Sequence, residues 1–178
     1  MLRRFLLLAA LLALIVAGGG IAVARGTPAL STDGPTSVTG TEASAVFEVG
    51  ASTIRQVRYD DGGTLRYTFR VANGGRLPVR VAGLADEQPR TRLFTITSIS
   101  EGTIPAGEAE EFTLSLHMAG CETLSSRAGS FVTRVAVRTQ TGGMFDDTVE
   151  IELPEEVHTG SPREAFCPSS TATSRPPG

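Results

Sequence analysis

Apolar side chains fall on every second residue in three separate stretches of this chain, and that period decides its fold class. Leu65, Tyr67, Phe69 and Val71 alternate with Arg66, Thr68, Arg70 and Ala72. Phe112, Leu114, Leu116 and Met118 alternate with Thr113, Ser115 and His117. Val149, Ile151 and Leu153 alternate with Thr148, Glu150 and Glu152. Successive side chains of a strand point to opposite faces, so a period of two marks strands with one face buried. Shorter strands are expected at 54–59, 79–84, 93–99 and 131–139. Asp61-Gly62-Gly63, Asn73-Gly74-Gly75, Pro105-Ala106-Gly107 and Gly142-Gly143 supply the turns between them. No amphipathic helix follows Ala24, and no internal repeat is found. Seven to eight short strands with this punctuation predict an all-β fold, a two-sheet antiparallel sandwich.

The first residues carry a different signal. Arg3 and Arg4 precede an apolar run from Phe5 to Ala24. About 20 such residues span a bilayer as a helix, and the paired arginines would hold the amino end in the cytoplasm. Ala22-Val23-Ala24 also fits a signal-peptidase site. The apolar character continues past Gly18-Gly19-Gly20 through Ile21 and Val23, which favours an uncleaved anchor over a cleaved signal. The expected organisation is an anchor or signal over 1–24, a flexible linker over 25–45, a sandwich over 46–168 and a disordered tail over 169–178. The linker reading rests on GTPALSTDGPTSVTGTEAS, rich in Gly, Pro, Ser and Thr. The expected localisation is the plasma membrane, single-pass with the carboxy-terminal domain outside, with secretion as the alternative.

Within that frame the strand Tyr67-x-Phe69-x-Val71-x-Asn73-x-Gly75, followed by Pro78-Val79-x-Val81, resembles two strands of a broad group of immunoglobulin-like domains. The group includes the major-sperm-protein, spindle and hydin types and many bacterial surface modules. Phe94-x-Ile96, Ile104-Pro105-x-Gly107-Glu108 and Phe112-x-Leu114-x-Leu116 continue the resemblance to about residue 116. What it implies is an immunoglobulin-like sandwich fold, following the amino-terminal transmembrane or signal helix, and a docking tendency, and no catalytic residue.

Charge and composition narrow the chemistry. The net charge is −3, and every basic residue is arginine, with no lysine. A weakly acidic balance gives no electrostatic footprint for nucleic acid. Trp is absent and Tyr occurs only at Tyr59 and Tyr67, against an aromatic sugar-binding platform. No Gly-x-Ser-x-Gly occurs, and Asp60-Asp61 and Asp146-Asp147 lack the oxygen-ligand succession of a calcium loop. His117, Met118, Met144 and His158 would suit a copper chaperone chemically. Adjacent strand residues face opposite ways, however, so His117 and Met118 do not converge on one ion. No cofactor, metal site or catalytic residue is therefore expected, and the function expected is a non-catalytic binding or accessory domain with a protein partner in the cell envelope. A copper-chaperone-like protein and an enzyme of unrecognised type are the alternatives.

Three finer expectations follow. Cys121 and Cys167, the only cysteines, fall in the exported portion and are expected to form a disulfide, with two independent thiols as the alternative. Pro154 is expected to end the last strand, leaving Glu155 to Phe166 as a segment that this bond would staple down. The hairpin through Gly142-Gly143 is expected to close as a three-residue loop over 141–143. That register sets Val135 opposite Val149, Arg134 opposite Glu150 and Arg138 opposite Asp146. The paired charges would neutralise that face, which leaves Arg66 and Arg70 as the candidate contact surface.

Overall fold

A computed structural model describes residues 28–41, 43–58, 62–91, 94–118 and 131–159. They form ten strands and no helix. In chain order these are β1 (Leu30–Thr39), β2 (Ala43–Val49), β3 (Ser52–Arg58), β4 (Thr64–Asn73), β5 (Val79–Leu84), β6 (Phe94–Ile99), β7 (Gly102–Ile104), β8 (Ala109–Met118), β9 (Phe131–Thr141) and β10 (Phe145–Thr159). A four-stranded sheet has the order β1-β4-β8-β6, and a six-stranded sheet the order β2-β3-β10-β9-β5-β7. The alternating side chains of both sheets enter one core. Leu65, Tyr67, Phe69 and Val71 of β4 and Phe112, Leu114, Leu116 and Met118 of β8 supply one side. Val57, Val81, Val135, Val137, Ile151 and Val157 supply the other. Three aromatics, Tyr67, Phe69 and Phe112, are wholly enclosed. Each contributes about 1.5–3 kcal/mol through removal from water.

The strands expected from period two are present, with β5 matching its expected span. Three strands escape that signal. β1 and the first three residues of β2 occupy the stretch expected to be a flexible linker, so the linker reading fails from Leu30 onward. β1 pairs antiparallel with β4 from Leu30↔Asn73 to Thr39↔Arg66, with a register shift between Asp33 and Ser37. It is an edge strand whose contact with the core is limited to Leu30 and Val38, hence its polar sequence. At its end Gly40 has φ +81°, and a Cβ there would run into the Thr64 carbonyl, so only glycine lets the chain cross between the sheets at this point.

The sheet is also mixed rather than purely antiparallel, because β10 runs parallel to β3 from Glu156↔Ile54 to Thr159↔Val57. This follows from a second correction. Pro154 does not end the last strand: β10 continues to Thr159. Between Glu152↔Arg134 and Val157↔Val132 the β9–β10 ladder is interrupted, with Leu153 to Glu156 on β10 facing Thr133 alone on β9. Proline has no N–H to donate, so it sits where the ladder is already broken. The strand bulges away from β9 over those four residues and rejoins it at Val157↔Val132, while pairing with β3 on its other side.

The β9–β10 hairpin has the expected parity and a shifted register. Its loop is Gly142-Gly143-Met144, closed by Thr141↔Phe145, which sets Val137 opposite Val149 and Val135 opposite Ile151. Gly142 and Gly143 both hold positive φ, at 60° and 73°. Arg134 still reaches Glu150, at 3.0 Å, as a diagonal rather than a facing pair. Arg138 faces Thr148 instead of Asp146, whose carboxylate accepts from Gln140 at 3.1 Å.

Candidate functional site

The divergence of β10 from β9 opens a groove of about 380 Å³ on the six-stranded sheet. Ser52 and Thr53 of β3 form one wall, Thr133 and Arg134 of β9 the other, and Glu152 to Glu156 of β10 the remainder. The groove exists because four residues of β10 stand against one of β9.

Beside it lies a buried polar cluster joining three strands. Continued alternation through Leu153, Glu155, Val157 and Thr159 turns Glu155 inward, where it is buried. A lone buried carboxylate is costly. Arg55 of β3 meets it in a two-pronged pair, Nε to Oε2 at 2.6 Å and Nη2 to Oε1 at 3.0 Å. Arg55 Nη1 also donates to Ser44 Oγ of β2 at 3.3 Å. From the opposite sheet, the Tyr67 hydroxyl donates to Glu155 Oε2 at 3.4 Å. The cluster thus ties the two sheets together at the point where β10 begins to pair with β3.

Burial pushes the Tyr67 phenol well above the ordinary tyrosine value, and the negative charge of Glu155 adds to the rise, with Arg55 opposing it. An unfolded chain releases this proton at about pH 10, while the fold retains it. Stability is therefore unaffected by this group below about pH 10. Above it, stability falls with a limiting slope of about 1.4 kcal/mol per pH unit. Urea unfolding between pH 8 and 11 checks this: Tyr67→Phe should flatten the alkaline fall, and parallel curves for variant and parent would contradict it.

At the outer rim, His158 Nε2 lies 3.0 Å from Glu156 Oε2. This bond, then one from Ser52, holds the Glu156 carboxyl below its ordinary range. Phe131, exposed at the start of β9, stacks on the His158 ring at 5.3 Å.

Arg66 and Arg70 project from the outer face of the four-stranded sheet, as the alternation requires. The register separates their surroundings. Arg70 lies between Asp33 of β1 and Glu111 of β8, whereas Arg66 lies between the hydroxyl residues Thr39 and Ser115. Carboxylates on both neighbouring strands offset the charge of Arg70, so Arg66 is the more available cation of the two. Met118 is buried in the core and His117 lies on the opposite face of β8. Met144 sits at the β9–β10 turn and His158 at the far end of β10, so these four side chains are not brought together. Among the described residues, no group of three His, Cys, Asp or Glu is placed to hold a metal ion. Cys121, Cys167 and Asp60-Asp61 lie outside the described residues, as does the apolar run over 1–24. Among the described residues no helix is long and apolar enough to cross a membrane.

Comparison with protein-family models gives no match, and comparison with curated proteins gives none either.

Proposed function

We propose that this chain is a membrane-anchored, outward-facing module that binds or supports a protein partner in the cell envelope and carries out no chemistry of its own. The sandwich is of immunoglobulin-like type in this reading, held at the membrane by the apolar run from Phe5 to Ala24. The observation that supports it is the apolar edge of the six-stranded sheet, where Val46, Phe47 and Val49 of β2 stand exposed. Exposed apolar side chains grouped on one element mark contact surfaces. Of the charged side chains lining the groove, by contrast, Arg134, Glu155 and Glu156 are engaged in Arg134–Glu150, Arg55–Glu155 and His158–Glu156 pairs. Protease treatment of intact cells, with amino-terminal sequencing of the protein, tests this reading. Digestion of the domain from outside and retention of residues 1–24 are expected. A mature protein beginning at Arg25, or a domain protected in intact cells, would overturn it.

The Cys121–Cys167 disulfide belongs to the same proposal. The chain leaves β8 at Met118, re-enters at Phe131 and leaves β10 at Thr159, and Phe131 and His158 are cross-strand partners. The two cysteine-bearing segments therefore meet the described fold at neighbouring positions. Closing a loop of roughly 45 residues stabilises by about 4 kcal/mol in the chain-entropy model. Labelling of free thiols in the unreduced, denatured protein should find neither cysteine reactive; quantitative labelling of both would exclude the bond.

A further inference from the structure

Asn73 is the single asparagine of the chain, and Gly74 follows it. An asparagine before glycine is the pair that loses its side-chain amide most readily in an unfolded chain, because no Cβ hinders the approach of the next backbone nitrogen. The fold does not account for this glycine. Gly74 has no positive φ, and a Cβ on it would meet the Ala29 carbonyl oxygen at 3.5 Å and Ala29 Cβ at 3.8 Å, both ordinary contacts. Its neighbour differs, since a Cβ on Gly75 would come within 2.9 Å of Asn73 Oδ1. The turn requires Gly75 and does not require Gly74.

Both reacting groups are held in place. Gly74 N, the attacking atom, donates to the Ala29 carbonyl at 2.8 Å. The Asn73 side chain, the group attacked, is buried and fixed at both ends. Its Nδ2 donates to the carbonyls of Leu77, Ile104 and Pro105, and its Oδ1 accepts from Gly75 N. The two restraints differ in depth. Ala29 is exposed and stands just before β1, an edge strand, whereas the partners of Asn73 lie in the turns on either side of β7.

We infer that Asn73-Gly74 is a self-modification site latched by the fold, at which opening of the β4–β5 turn becomes a permanent loss of the side-chain amide. In the open turn the Gly74 nitrogen gives up its proton to solvent and attacks Asn73 Cγ. The new N–C bond closes a cyclic imide, the bond from Cγ to Nδ2 breaks, and Nδ2 takes up a proton and leaves as ammonia. Water then adds to one of the two imide carbonyls. Addition at Cγ gives aspartate; addition at the backbone carbonyl gives isoaspartate, whose main chain runs through Cβ and is one atom longer. Nothing is oxidised or reduced, and water is the only co-reactant. Neither product restores the latch. Aspartate directs a carboxylate oxygen at the three carbonyls that Nδ2 satisfies. Isoaspartate lengthens the main chain at the Leu30↔Asn73 pair and disturbs its register. A chain that stays open long enough to react therefore does not regain its original stability.

This inference goes beyond the proposed function and does not depend on the membrane location. The intact chain in mild detergent is held at pH 8, either folded or in guanidinium chloride, and then digested with trypsin. Mass spectrometry follows the peptide 71–76, released by cleavage after Arg70 and Arg76, in which Asn73 carries the one side-chain amide. Conversion to the deamidated forms should be at least about tenfold faster in denaturant than in the fold, because only the open fraction reacts. Gly74→Ala should slow conversion in denaturant by about tenfold or more without lowering the melting temperature. Gly75→Ala, whose Cβ displaces Asn73 Oδ1, should convert faster than the parent when folded and at the parent's rate in denaturant. On return to native buffer, the fraction of parent that fails to regain the original melting curve should match the converted fraction. Gly74→Ala held equally long in denaturant should refold completely. A peptide that stays unconverted in denaturant, or converts equally fast in the fold, would overturn the inference. So would Gly74→Ala converting at the parent's rate, or converted chains that melt together with unconverted ones.

Discussion

Replacing Arg55 by methionine is expected to destabilise the domain by about 3–5 kcal/mol at pH 7, the loss typical when a buried ion pair loses one partner. The variant would leave the Glu155 carboxylate buried, with only the Tyr67 hydroxyl, at 3.4 Å, from the original cluster. The chain's recourse is to protonate Glu155. Its folded pKa would then rise above the unfolded value of about 4.3. The penalty is therefore smallest at acid pH and grows as pH rises through the new folded pKa. Removing both charges together, in Arg55→Met with Glu155→Met, should recover most of the loss, because apolar replacement of a buried pair is often neutral or stabilising. Urea unfolding of the parent, the single variant and the double variant at pH 5 and pH 7 checks all three statements. A single variant within 1 kcal/mol of the parent at pH 7 would show that solvent reaches the pair and that it does not hold the sheets together.

The sequence foretells the centre of this fold better than its borders, for a physical reason. Central strands such as β4 and β8 bury one whole face, so Tyr67, Phe69, Phe112 and Leu114 must recur with period two. An edge strand buries little and carries little pattern. β1 touches the core through Leu30 and Val38 and is otherwise tied by its β4 ladder and by Thr32, whose hydroxyl donates to the Glu152 carbonyl at 2.8 Å. Its Gly, Pro, Ser and Thr content is therefore also that of a linker. The Arg55–Glu155 pair joins residues 100 positions apart and has no local mark. One signal does point to it: the alternation Val149, Ile151, Leu153 continues through Val157. Reading Pro154 as a strand terminator conceals that Glu155 occupies an inward position, where the Arg55 guanidinium offsets its charge. A proline at a ladder break bends a strand's pairing without stopping its alternation.

Asn73→Leu is expected to cost about 2–4 kcal/mol, because the side chain satisfies buried backbone groups of two turns at once. Asn73 ends β4 and is buried. Its amide nitrogen donates to the carbonyls of Leu77 at 2.8 Å, Ile104 at 3.2 Å and Pro105 at 3.3 Å, and its amide oxygen accepts from Gly75 N at 2.9 Å. The first and last of these bonds close the turn between β4 and β5. The other two tie it to the turn between β7 and β8. Leucine fills a similar volume and offers no polar atom, so these carbonyls and the Gly75 N–H lose their partner where water has poor access. Aspartate is the sharper test. It keeps an oxygen for Gly75 and points a second oxygen at three carbonyls, which favours the protonated acid and raises its folded pKa above about 3.9. Asn73→Asp should therefore be less stable than Asn73→Leu at pH 7 and regain stability as pH falls toward 4. Urea unfolding at the two pH values checks the ranking, and amide exchange at Gly75 should accelerate in Asn73→Leu. If Asn73→Leu unfolds within about 0.5 kcal/mol of the parent, the two turns are held by their backbone bonds alone. Gly107 N to Asn73 O and Asn73 N to Glu108 O, both 2.9 Å, are the bonds that would then carry them.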